Sequence, residues 1–355
     1  MQTVAVVFGG RSSEHEISCV SGGAVLSAID RTRYRVIPVG IRKDGRMQLV
    51  PDDPSQYAMD PHHMPTITGE GPEVLWPSRV GDRMLRVLED GRVRDVAEID
   101  IVFPVLHGRW GEDGTIQGLF ELSGVPYVGN GVLASAAGMD KEFTKRILDA
   151  AGLEVGRWAA VRRADRADAP RIAADLGYPV FVKPARAGSS VGVSRAEGPD
   201  ELERAVELAF AEDSKILIEH ELRGREVEIA VLGPRTGEEP RVSSVAGEIV
   251  VSSGGFYDYR SKYLSAEQAT TICPADVTPT QLAALQQAAR ATFVALDCAG
   301  LARVDMFLDG DVATINEINT LPGFTPISIF PICWEKSGLD YTELITDLLE
   351  QAQGR

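Results

Sequence analysis

Residues 301–325 narrow the possible folds of this chain more than any other segment, because polar and apolar residues alternate there on both sides of a turn. Positions 303, 305 and 307 alternate with the apolar positions 304, 306 and 308, and this period of two predicts a β-strand. The tripeptide at 309–311, Asp-Gly-Asp, predicts a short reversal because glycine readily adopts a positive φ. Positions 313, 315, 317 and 319 then share one side of a second strand, so the segment is predicted to form a β-hairpin.

One face of this hairpin is predicted to carry a cluster of polar and charged groups. If odd positions pair with odd positions across the turn, that face carries Arg303, Asp305, Glu317 and Asn319. Two carboxylates and an amide oxygen suit Mg²⁺, which completes its octahedral shell with water and phosphate oxygens. The sequence Leu-Pro-Gly at 321–323 then ends the strand and leaves backbone N–H groups nearby. A surface hairpin with a salt bridge from Arg303 to Glu317 explains the same residues equally well.

The composition is that of a soluble globular protein with two or three domains. The chain has 355 residues, of which 44% are hydrophobic and 25% are charged, and its net charge is -16. This charge argues against binding to nucleic acid or to an anionic membrane, both of which require a basic surface. No apolar run approaches the length of a membrane span, and Met1 leads directly into a strand rather than a signal peptide. The four cysteines lack the spacing of a metal site, so we expect free thiols in a reducing cytoplasm.

The first 138 residues are predicted to form a doubly wound sheet domain. A buried strand at 4–8 ends in Gly9-Gly10 and is followed by a helix, which is the start of a βαβ unit that gathers ligands at its strand ends. Glu14 falls in the first turn of this helix, where it could hold a substrate ammonium, although simple capping is favoured by position alone. A strand at 99–106 leads into a glycine-rich loop. His107 in that loop could donate to a substrate carboxylate or could only brace the loop.

The second predicted domain, residues 139–230, carries a candidate phosphate site. The strand at 180–183 delivers Lys183 to a loop of small residues at 184–193, whose backbone N–H groups could approach a polyphosphate closely. The pattern differs from a P-loop, because the lysine precedes the loop. A strand at 216–219 ends in acidic residues, which could form a hinge for adenine and ribose or could simply be solvated.

The third predicted domain, residues 231–355, contains the hairpin and a candidate lid. The lid is the loop at 252–265, SSGGFYDYRSKYLS, because long polar loops with aromatic residues commonly cover binding sites. Within this loop, Lys262 could reach a phosphate and Tyr263 could close over a substrate.

Seven motifs, in order along the chain, resemble those of the D-alanine–D-alanine ligase family within the ATP-grasp superfamily. They are GGRSSEHEIS at 9–18, HGRWGEDGTIQG at 107–118, MDK at 139–141, VKPARAGSSVGVS at 182–194, FYDYRSKYLS at 256–265, RVDMF at 303–307 and NEINTLPGFTPIS at 316–328. The resemblance implies an α/β (α+β) ATP-grasp fold, with a doubly wound parallel sheet domain followed by two α+β domains that enclose a nucleotide. It also implies ATP-dependent joining of two D-alanines for peptidoglycan synthesis.

The resemblance assigns expected roles to individual residues. The residues implied to bind ATP are Lys141, Lys183, Ser190, Glu219, Glu221, Leu222, Glu226 and Lys262. The residues implied to bind two Mg²⁺, with Mn²⁺ as a substitute, are Asp305, Glu317 and Asn319. The implied catalytic residues are Glu14, Ser189, Tyr263 and Arg303, and the implied substrate contacts are His107, Gly323 and Ser328.

The resemblance also implies a cytoplasmic homodimer and leaves alternatives of function. Related D-alanine–D-lactate ligases lack the Lys-Tyr pair that stands here at 262–263, so the dipeptide product is favoured. Another ATP-grasp carboxylate–amine ligase is the second alternative. A nucleotide-binding protein without catalysis is the third, although such a protein has no need of an oxyanion donor such as Arg303.

Overall fold

A computed structural model of the chain describes residues 1–60, 62–234, 238–251 and 269–354. Within them the strands form three sheets, and helices cover the faces of these sheets. The predicted lid at 252–265, with Lys262 and Tyr263, lies outside the described residues. Among the residues that are described, no helix is both long and apolar enough to cross a bilayer.

The first sheet has the strand order β6-β5-β4-β3-β2-β1-β7. Its strands are β1 (Gln2–Gly9), β2 (Tyr34–Ile41), β3 (Met47–Leu49), β4 (Glu73–Leu75), β5 (Met84–Glu89), β6 (Arg92–Glu98) and β7 (Ile101–Val105). Only β2, β1 and β7 pair in parallel, and the remaining pairs are antiparallel. The Pro, Asp and Gly content of residues 51–80 predicts an irregular segment, but residues 73–75 form β4 in the antiparallel part of the sheet.

Four helices lie around the parallel half of the first sheet, and the last of them leads to the second sheet. They are α1 (His15–Ala28), α2 (Thr115–Ser123), α3 (Val132–Met139) and α4 (Lys141–Ala150). Asp140 separates the last two helices, because its side chain accepts hydrogen bonds from the backbone N–H groups of Glu142 and Phe143 and so caps α4. This cap places Lys141 in the first turn of a helix.

The second sheet is antiparallel, in the order β10-β9-β11-β8. Its strands and helices are β8 (Trp158–Arg162), α5 (Ala169–Leu176), β9 (Val180–Pro184), β10 (Ser194–Ala196), α6 (Pro199–Glu212) and β11 (Lys215–His220). Lys183 lies near the end of β9, and Glu219 lies near the end of the neighbouring β11. The pairing of these two strands brings both side chains to the same side of the molecule.

The third sheet has the order β15-β14-β12-β16-β17, with β13 paired to β12. Its strands and the helices that follow are β12 (Arg225–Leu232), β13 (Arg241–Val242), β14 (Gly247–Val251), β15 (Ala269–Ile272), α7 (Pro279–Ala295), β16 (Leu301–Asp309), β17 (Val312–Asn319), α8 (Ile329–Lys336) and α9 (Tyr341–Gln353). The predicted domain boundary at 230 falls inside β12. The change of sheet therefore lies before Arg225 rather than after residue 230.

The carboxyl-terminal helices bury their apolar faces against the first sheet. Val4 and Phe8 of β1 share one hydrophobic core with Phe330 of α8 and with Leu344 and Leu348 of α9. Burial of such side chains contributes about 1.5–3 kcal/mol each to folding. The first and third sheets are therefore held together by a continuous apolar core, and the cavity described next lies beside it.

Candidate active site

A cavity of about 500 Å³ lies where the three sheets meet. Most of the residues that the sequence singles out lie on its wall: Glu14, His107, Lys141, Lys183, Ser189, Ser190, Glu219, Glu221, Leu222, Glu226, Arg303, Glu317, Asn319, Gly323 and Ser328. Asp305 lies behind this wall and is 3% exposed. The cavity therefore gathers residues that are more than 300 positions apart in the chain.

The hairpin of β16 and β17 has the predicted register near the cavity. Arg303 pairs with Asn319, and Asp305 pairs with Glu317. Beyond this point the register shifts, because Met306 pairs with Ile315 and leaves Asn316 as an additional residue on β17. Such a bulge changes which side chains face each way. The prediction of one unbroken alternation from 313 to 319 is therefore wrong: Ile315 is buried in the core, whereas Asn316 and Glu317 both line the cavity.

Arg303 lies between two buried carboxylates. Its Nε is 2.7 Å from Asp305 Oδ1, its Nη2 is 2.7 Å from Asp305 Oδ2, and its Nε is 3.1 Å from Glu228 Oε2. Asn319 Nδ2 also donates to Asp305 Oδ2, at 2.9 Å. Although burial lowers the pKa of Arg303, attraction to Asp305 and Glu228 raises it well above its usual value. The guanidinium therefore remains charged, and within the hairpin it contacts Asp305 through two nitrogens.

Lys141, in the first turn of α4, contacts the hairpin. Its Nζ is 3.2 Å from Glu317 Oε2 and donates to the carbonyl of Ala187 at 3.0 Å. Burial by itself lowers the pKa of Lys141, but attraction to Glu317 outweighs it and raises the pKa above its usual value. The lysine therefore presents a stable positive charge beside the loop that follows β9.

Two further lysines hold Glu219. Lys183 Nζ is 2.8 Å from Glu219 Oε2 and 3.4 Å from Asn316 Oδ1, and Lys145 Nζ is 3.5 Å from Glu219 Oε1. Burial raises the pKa of Glu219, but Lys145 and Lys183 lower it by more, so the pKa lies below its ordinary value. For Lys145 burial dominates and lowers the pKa. Lys183 and Glu219 thus form an ion pair on the cavity wall, and Lys145 lies behind it.

The loop after β9 meets the amino-terminal loop at Glu14. The hydroxyl of Ser189 donates to Glu14 Oε1. Ser189 and Ser190 both adopt positive φ, at 50° and 57°, an uncommon conformation for residues other than glycine. A Cβ added to Gly188 would lie 3.0 Å from Glu14 Oε2, and one added to Gly108 would lie 2.5 Å from it. Glu14 therefore lies where three loops converge, and a side chain at Gly108 or Gly188 would displace its carboxylate.

His107 has protein partners at both ring nitrogens. Its Nε2 lies 3.0 Å from Ser21 Oγ, and its Nδ1 lies 3.2 Å from the carbonyl oxygen of Leu321. A neutral imidazole satisfies both contacts, because Nδ1–H donates to the carbonyl and Nε2 accepts from the hydroxyl. Burial lowers the pKa of His107, which favours this neutral form. These contacts support the interpretation that His107 braces the loop against residues 321–323.

The lowered pKa of His107 predicts that the free energy of unfolding falls in mild acid. Because burial lowers the folded-state pKa of His107 below 6.5, the unfolded chain binds more protons than the folded chain as the pH falls below that value. The stabilisation is complete above about pH 6.5 and is lost as the pH falls through the folded-state pKa. His107→Asn should therefore weaken the dependence of unfolding free energy on pH, as measured by urea unfolding between about pH 5 and pH 7.

His62 provides the control for this experiment, because it is an exposed histidine on the same domain. His62→Asn should leave the slope of unfolding free energy against pH unchanged. Some slope should remain in His107→Asn, since burial also lowers the pKa of His15. Equal slopes in the wild type and His107→Asn would contradict the prediction.

The candidate hinge and the 323–328 loop are held largely by internal contacts. The backbone N–H of Glu221 donates to the carbonyl of Pro179 at 3.1 Å, and its carboxylate pairs with Arg195 at 2.5 Å. Ser328 Oγ accepts from the backbone N–H of Thr325 at 3.2 Å. A Cβ on Gly323 would lie 3.0 Å from Ser328 Oγ. The N–H of Glu221 is thus engaged, and any nucleotide contact at the hinge depends on its other backbone groups.

Several residues at the cavity were missed at the level of sequence. Glu112, Glu228 and Asn316 line the cavity, and Lys145 lies behind its wall against Glu219. Glu112 accepts from the backbone N–H of Gly108 at 2.9 Å, and burial together with Glu14 raises its pKa well above the ordinary value. The helical spacing of Lys145 from Lys141 and the strand spacing of Glu228 from Glu226 could have indicated two of them. The bulge that turns Asn316 toward the cavity has no comparable signal.

The polar groups of the hairpin suit a hard cation that also contacts phosphate. Asp305 and Glu317 are directly opposite each other, and Asn319 adds an amide. Among the described residues, no three His, Cys, Asp or Glu side chains lie close enough to hold an ion by themselves. The donor set therefore fits Mg²⁺ only if phosphate oxygens and water supply the remaining ligands. To bind the ion, Asp305 would also have to give up a hydrogen bond that it now accepts from Arg303 or Asn319.

Comparisons with known proteins match this chain to one family along nearly its whole length. Family models described as D-ala D-ala ligase N-terminus and C-terminus match residues 3–130 and 147–350. A curated D-alanine–D-alanine ligase of Streptomyces coelicolor is 48% identical, with 99% of this chain and 93% of that protein aligned. The crystal structure of VanG D-Ala:D-Ser ligase from Enterococcus faecalis has a TM-score of 0.85 at 35% identity and covers 99% of each chain. The D-alanine–D-alanine ligase of Coxiella burnetii has a TM-score of 0.85 at 34% identity, covering 100% of this chain and 94% of its own.

Proposed function

This chain belongs to the D-alanine–D-alanine ligase family, and from that premise we propose which residues of the cavity perform each part of the reaction. The chain is an ATP-dependent ligase that joins two D-alanines into the dipeptide for cell-wall synthesis, and it has the ATP-grasp fold. The observation that carries the proposal is the convergence of Lys141, Lys183, Arg303 and Glu317 with Glu14 on one cavity.

The lysine-rich wall holds the nucleotide. Lys141 and Lys183 offset the charge of the ATP phosphates, and the loop at 186–192, with Ser190, covers them. Glu219 orients Lys183 through the 2.8 Å ion pair and helps to hold the nucleoside, together with Glu226 and the backbone at Glu221 and Leu222. Lys262, from the loop outside the described residues, is proposed to add a further phosphate contact. Positioning and charge compensation are the main tasks of a protein in phosphoryl transfer.

The hairpin holds the metal ions. We assign two Mg²⁺, or Mn²⁺ in their place, to Asp305, Glu317 and Asn319, because their oxygens suit a hard cation that also binds phosphate. When bound, the ions offset the negative charge that moves during transfer of the γ-phosphoryl group. Lys141 keeps Glu317 oriented toward the cavity before a nucleotide enters.

The amino-terminal loop binds the first D-alanine. Glu14 accepts the ammonium of this substrate, and Ser189 holds Glu14 through its hydroxyl. Tyr263 is proposed to complete this group from the loop at 252–265. His107 positions residues 321–323 through its contact with Leu321. The carboxylate of this D-alanine is then the group that receives phosphate, because oxide is too poor a leaving group for direct attack by an amine.

Arg303 acts when the second D-alanine attacks the acylphosphate. The tetrahedral oxyanion requires donors that are already in place, and the Arg303 guanidinium with the Gly323 N–H provides them. Ser328 and its neighbours hold the carboxylate of the second D-alanine. Asp305 and Glu228 grip Arg303 on two sides, so the guanidinium is oriented before substrate arrives.

The contact between Glu228 and Arg303 leads to a prediction. Glu228→Gln should lower kcat by about tenfold, less than a substitution of Arg303 itself, because Asp305 still holds the guanidinium while the second charge is lost. Steady-state dipeptide formation measures this effect. Glu248→Gln weakens a partly exposed pair with Arg225, and neither residue lines the cavity, so this variant should leave kcat near the wild-type value. Equal losses in the two variants would indicate that Glu228 only stabilises the fold.

The domain boundaries, the oligomeric state and the cellular compartment are also proposals. We divide the chain into domains at 1–138, 139–224 and 225–355, with the second boundary moved from 230 because β12 belongs to the third sheet. A homodimer that acts in the cytoplasm is proposed on the family resemblance. Size-exclusion chromatography with light scattering tests the dimer; a monomer at working concentration would reject it.

Product analysis tests the function. The protein is incubated with ATP, Mg²⁺ and an equimolar mixture of D-alanine, D-lactate and D-serine, and both phosphate and products are measured. We expect D-alanyl-D-alanine to dominate, with phosphate release that requires D-alanine and Mg²⁺. Mainly ester or D-alanyl-D-serine would overturn the choice of second substrate. ATP binding without turnover would favour the non-catalytic alternative.

A further inference from the structure

Two cysteines outside the proposed chemistry lie in direct contact. The Sγ atoms of Cys273 and Cys333 are 3.7 Å apart, although the residues are 60 positions apart in the chain. Cys273 follows β15 directly, and Cys333 lies within α8. All four cysteines of the chain are free, and no other sulfur pair within the described residues makes such a contact. An S–S bond is only about 2.05 Å long, so forming a disulfide here would draw the chain segments around both sulfurs toward each other.

We propose that Cys273 and Cys333 form a peroxide-reactive dithiol, whose reversible oxidation to a disulfide displaces the cavity wall that faces the second amino-acid substrate. The oxidant class is a small hydroperoxide, with hydrogen peroxide as the simplest member. Formation of the disulfide does not depend on the proposed function, whereas the effect on the second substrate rests on it.

The surroundings of the two thiols give them different roles. Cys333 is fully buried at 0% exposure, whereas Cys273 is partly exposed and so can meet a small oxidant. A hydrogen bond from the Cys333 thiol lowers the pKa of Cys273 despite burial, and Lys336 acts in the same direction. The same contact, together with burial, raises the pKa of Cys333. Since the thiolate is the reactive form, Cys273 is the attacking residue.

The chemistry balances without any further reagent. The Cys273 thiolate attacks one peroxide oxygen, the O–O bond breaks, and protonation of the departing hydroxide gives water and a sulfenic acid. The Cys333 thiol then attacks the sulfenic sulfur, an S–S bond forms, and the sulfenic hydroxyl leaves as a second water. Overall two thiols are oxidised, one hydrogen peroxide is reduced to two waters, and a dithiol reductant reverses the change.

The other two cysteines provide internal controls. Burial raises the pKa of Cys19 to about 12 and that of Cys298 to about 12. Neither is close to another sulfur among the described residues. Both should therefore react much more slowly with peroxide than Cys273.

A disulfide would act on the cavity through α8. Thr271, two residues before Cys273, lines the cavity, as do Ser328 and Ile329 at the start of α8. This helix is packed tightly on the third sheet, because a Cβ on Gly247 would lie 2.4 Å from Ile329 Cγ2. Drawing Cys333 toward Cys273 must therefore shift the start of α8 rather than be absorbed by free space. Misplacement of about 1 Å can cost an enzyme up to about 10²-fold.

The experiment treats the reduced, full-length protein with sub-millimolar hydrogen peroxide and then removes the excess with catalase. Peptide mass spectrometry should detect a 273–333 cross-linked peptide that is lighter by two hydrogens. We expect kcat/KM for the second D-alanine to fall by roughly tenfold, mainly through KM, and to recover with dithiothreitol. Activity before oxidation is recorded first, so a failure of the proposed function is seen independently of the cross-link.

Variants complete the test. Before oxidation, Cys273→Ala and Cys333→Ala should form dipeptide at the wild-type rate, and they should keep that activity after peroxide treatment. Cys298→Ala should lose activity after peroxide treatment, as the wild type does. In Cys333→Ser, whose hydroxyl can still donate to Cys273 but cannot form a disulfide, a sulfenic acid at Cys273 should persist and react with dimedone. Absence of the cross-linked peptide, an unchanged KM in the cross-linked protein, or equal inactivation of Cys273→Ala would each overturn the proposal.

Discussion

Replacing Glu317 with Gln is expected to reduce dipeptide formation by about a thousandfold or more while the fold persists, equivalent to about 4 kcal/mol of transition-state stabilisation. Glu317 is directly opposite Asp305 and is held toward the cavity by Lys141 at 3.2 Å. Glutamine keeps the size of the side chain but offers only one oxygen and no charge to a cation. Lys141 retains its hydrogen bond to Ala187, so the local structure should survive.

The measurement is ATP-dependent phosphate release together with dipeptide formation, and circular dichroism serves to check the fold. Asp311→Asn is the matched control, because it removes one negative charge from the exposed turn of the same hairpin. The control should retain nearly full activity. A rate for Glu317→Gln within a few-fold of the wild type would remove this residue from the proposed metal site.

Arg303→Lys is expected to lower the rate of ligation by about 10²–10³-fold, the usual effect of losing one oxyanion donor. Lysine keeps the positive charge, so Asp305 and Glu228 do not become two unpaired buried carboxylates. It cannot reproduce the planar fork that now binds Asp305 through two nitrogens. The donor that faces the reacting carbonyl is therefore lost or misplaced while most of the fold stability is retained.

The ratio of phosphate to dipeptide separates this effect from a general loss of activity. If Arg303 serves the second step, the acylphosphate should still form and then hydrolyse, so more phosphate should appear for each dipeptide. Arg241→Lys is the control, because Arg241 forms a similar two-nitrogen pair with Asp347 away from the cavity. An unchanged phosphate-to-dipeptide ratio in Arg303→Lys would assign the arginine to metal or nucleotide binding instead.

Local patterns in the sequence predicted the elements of the site because strand periodicity and turn residues act over short distances. The pairing of Arg303 with Asn319 and of Asp305 with Glu317 follows from alternation on either side of Asp309-Gly310-Asp311. The same reasoning failed at Asn316. A bulge is decided by how Ile315 and Ile318 reach the core, and alternation alone does not indicate it.

The contacts of the charged side chains also required the tertiary structure. A surface salt bridge from Arg303 to Glu317 was one of two interpretations of the sequence. In the structure Arg303 contacts Asp305 and Glu228 on a neighbouring strand, while Glu317 contacts Lys141 of α4. Buried charges must find partners. Which partners they find depends on the order of strands in the sheet.

By itself the sequence determined most of the strands, the loops at their ends, the family and the side chains available for chemistry, since all of these depend on residue type and spacing. Only the tertiary structure decided that α8 and α9 pack on the first sheet and that Cys273 meets Cys333. The physical reason is that such contacts join distant parts of the chain. They form where apolar surface is buried jointly and buried polar groups are satisfied together, and no local pattern records that outcome.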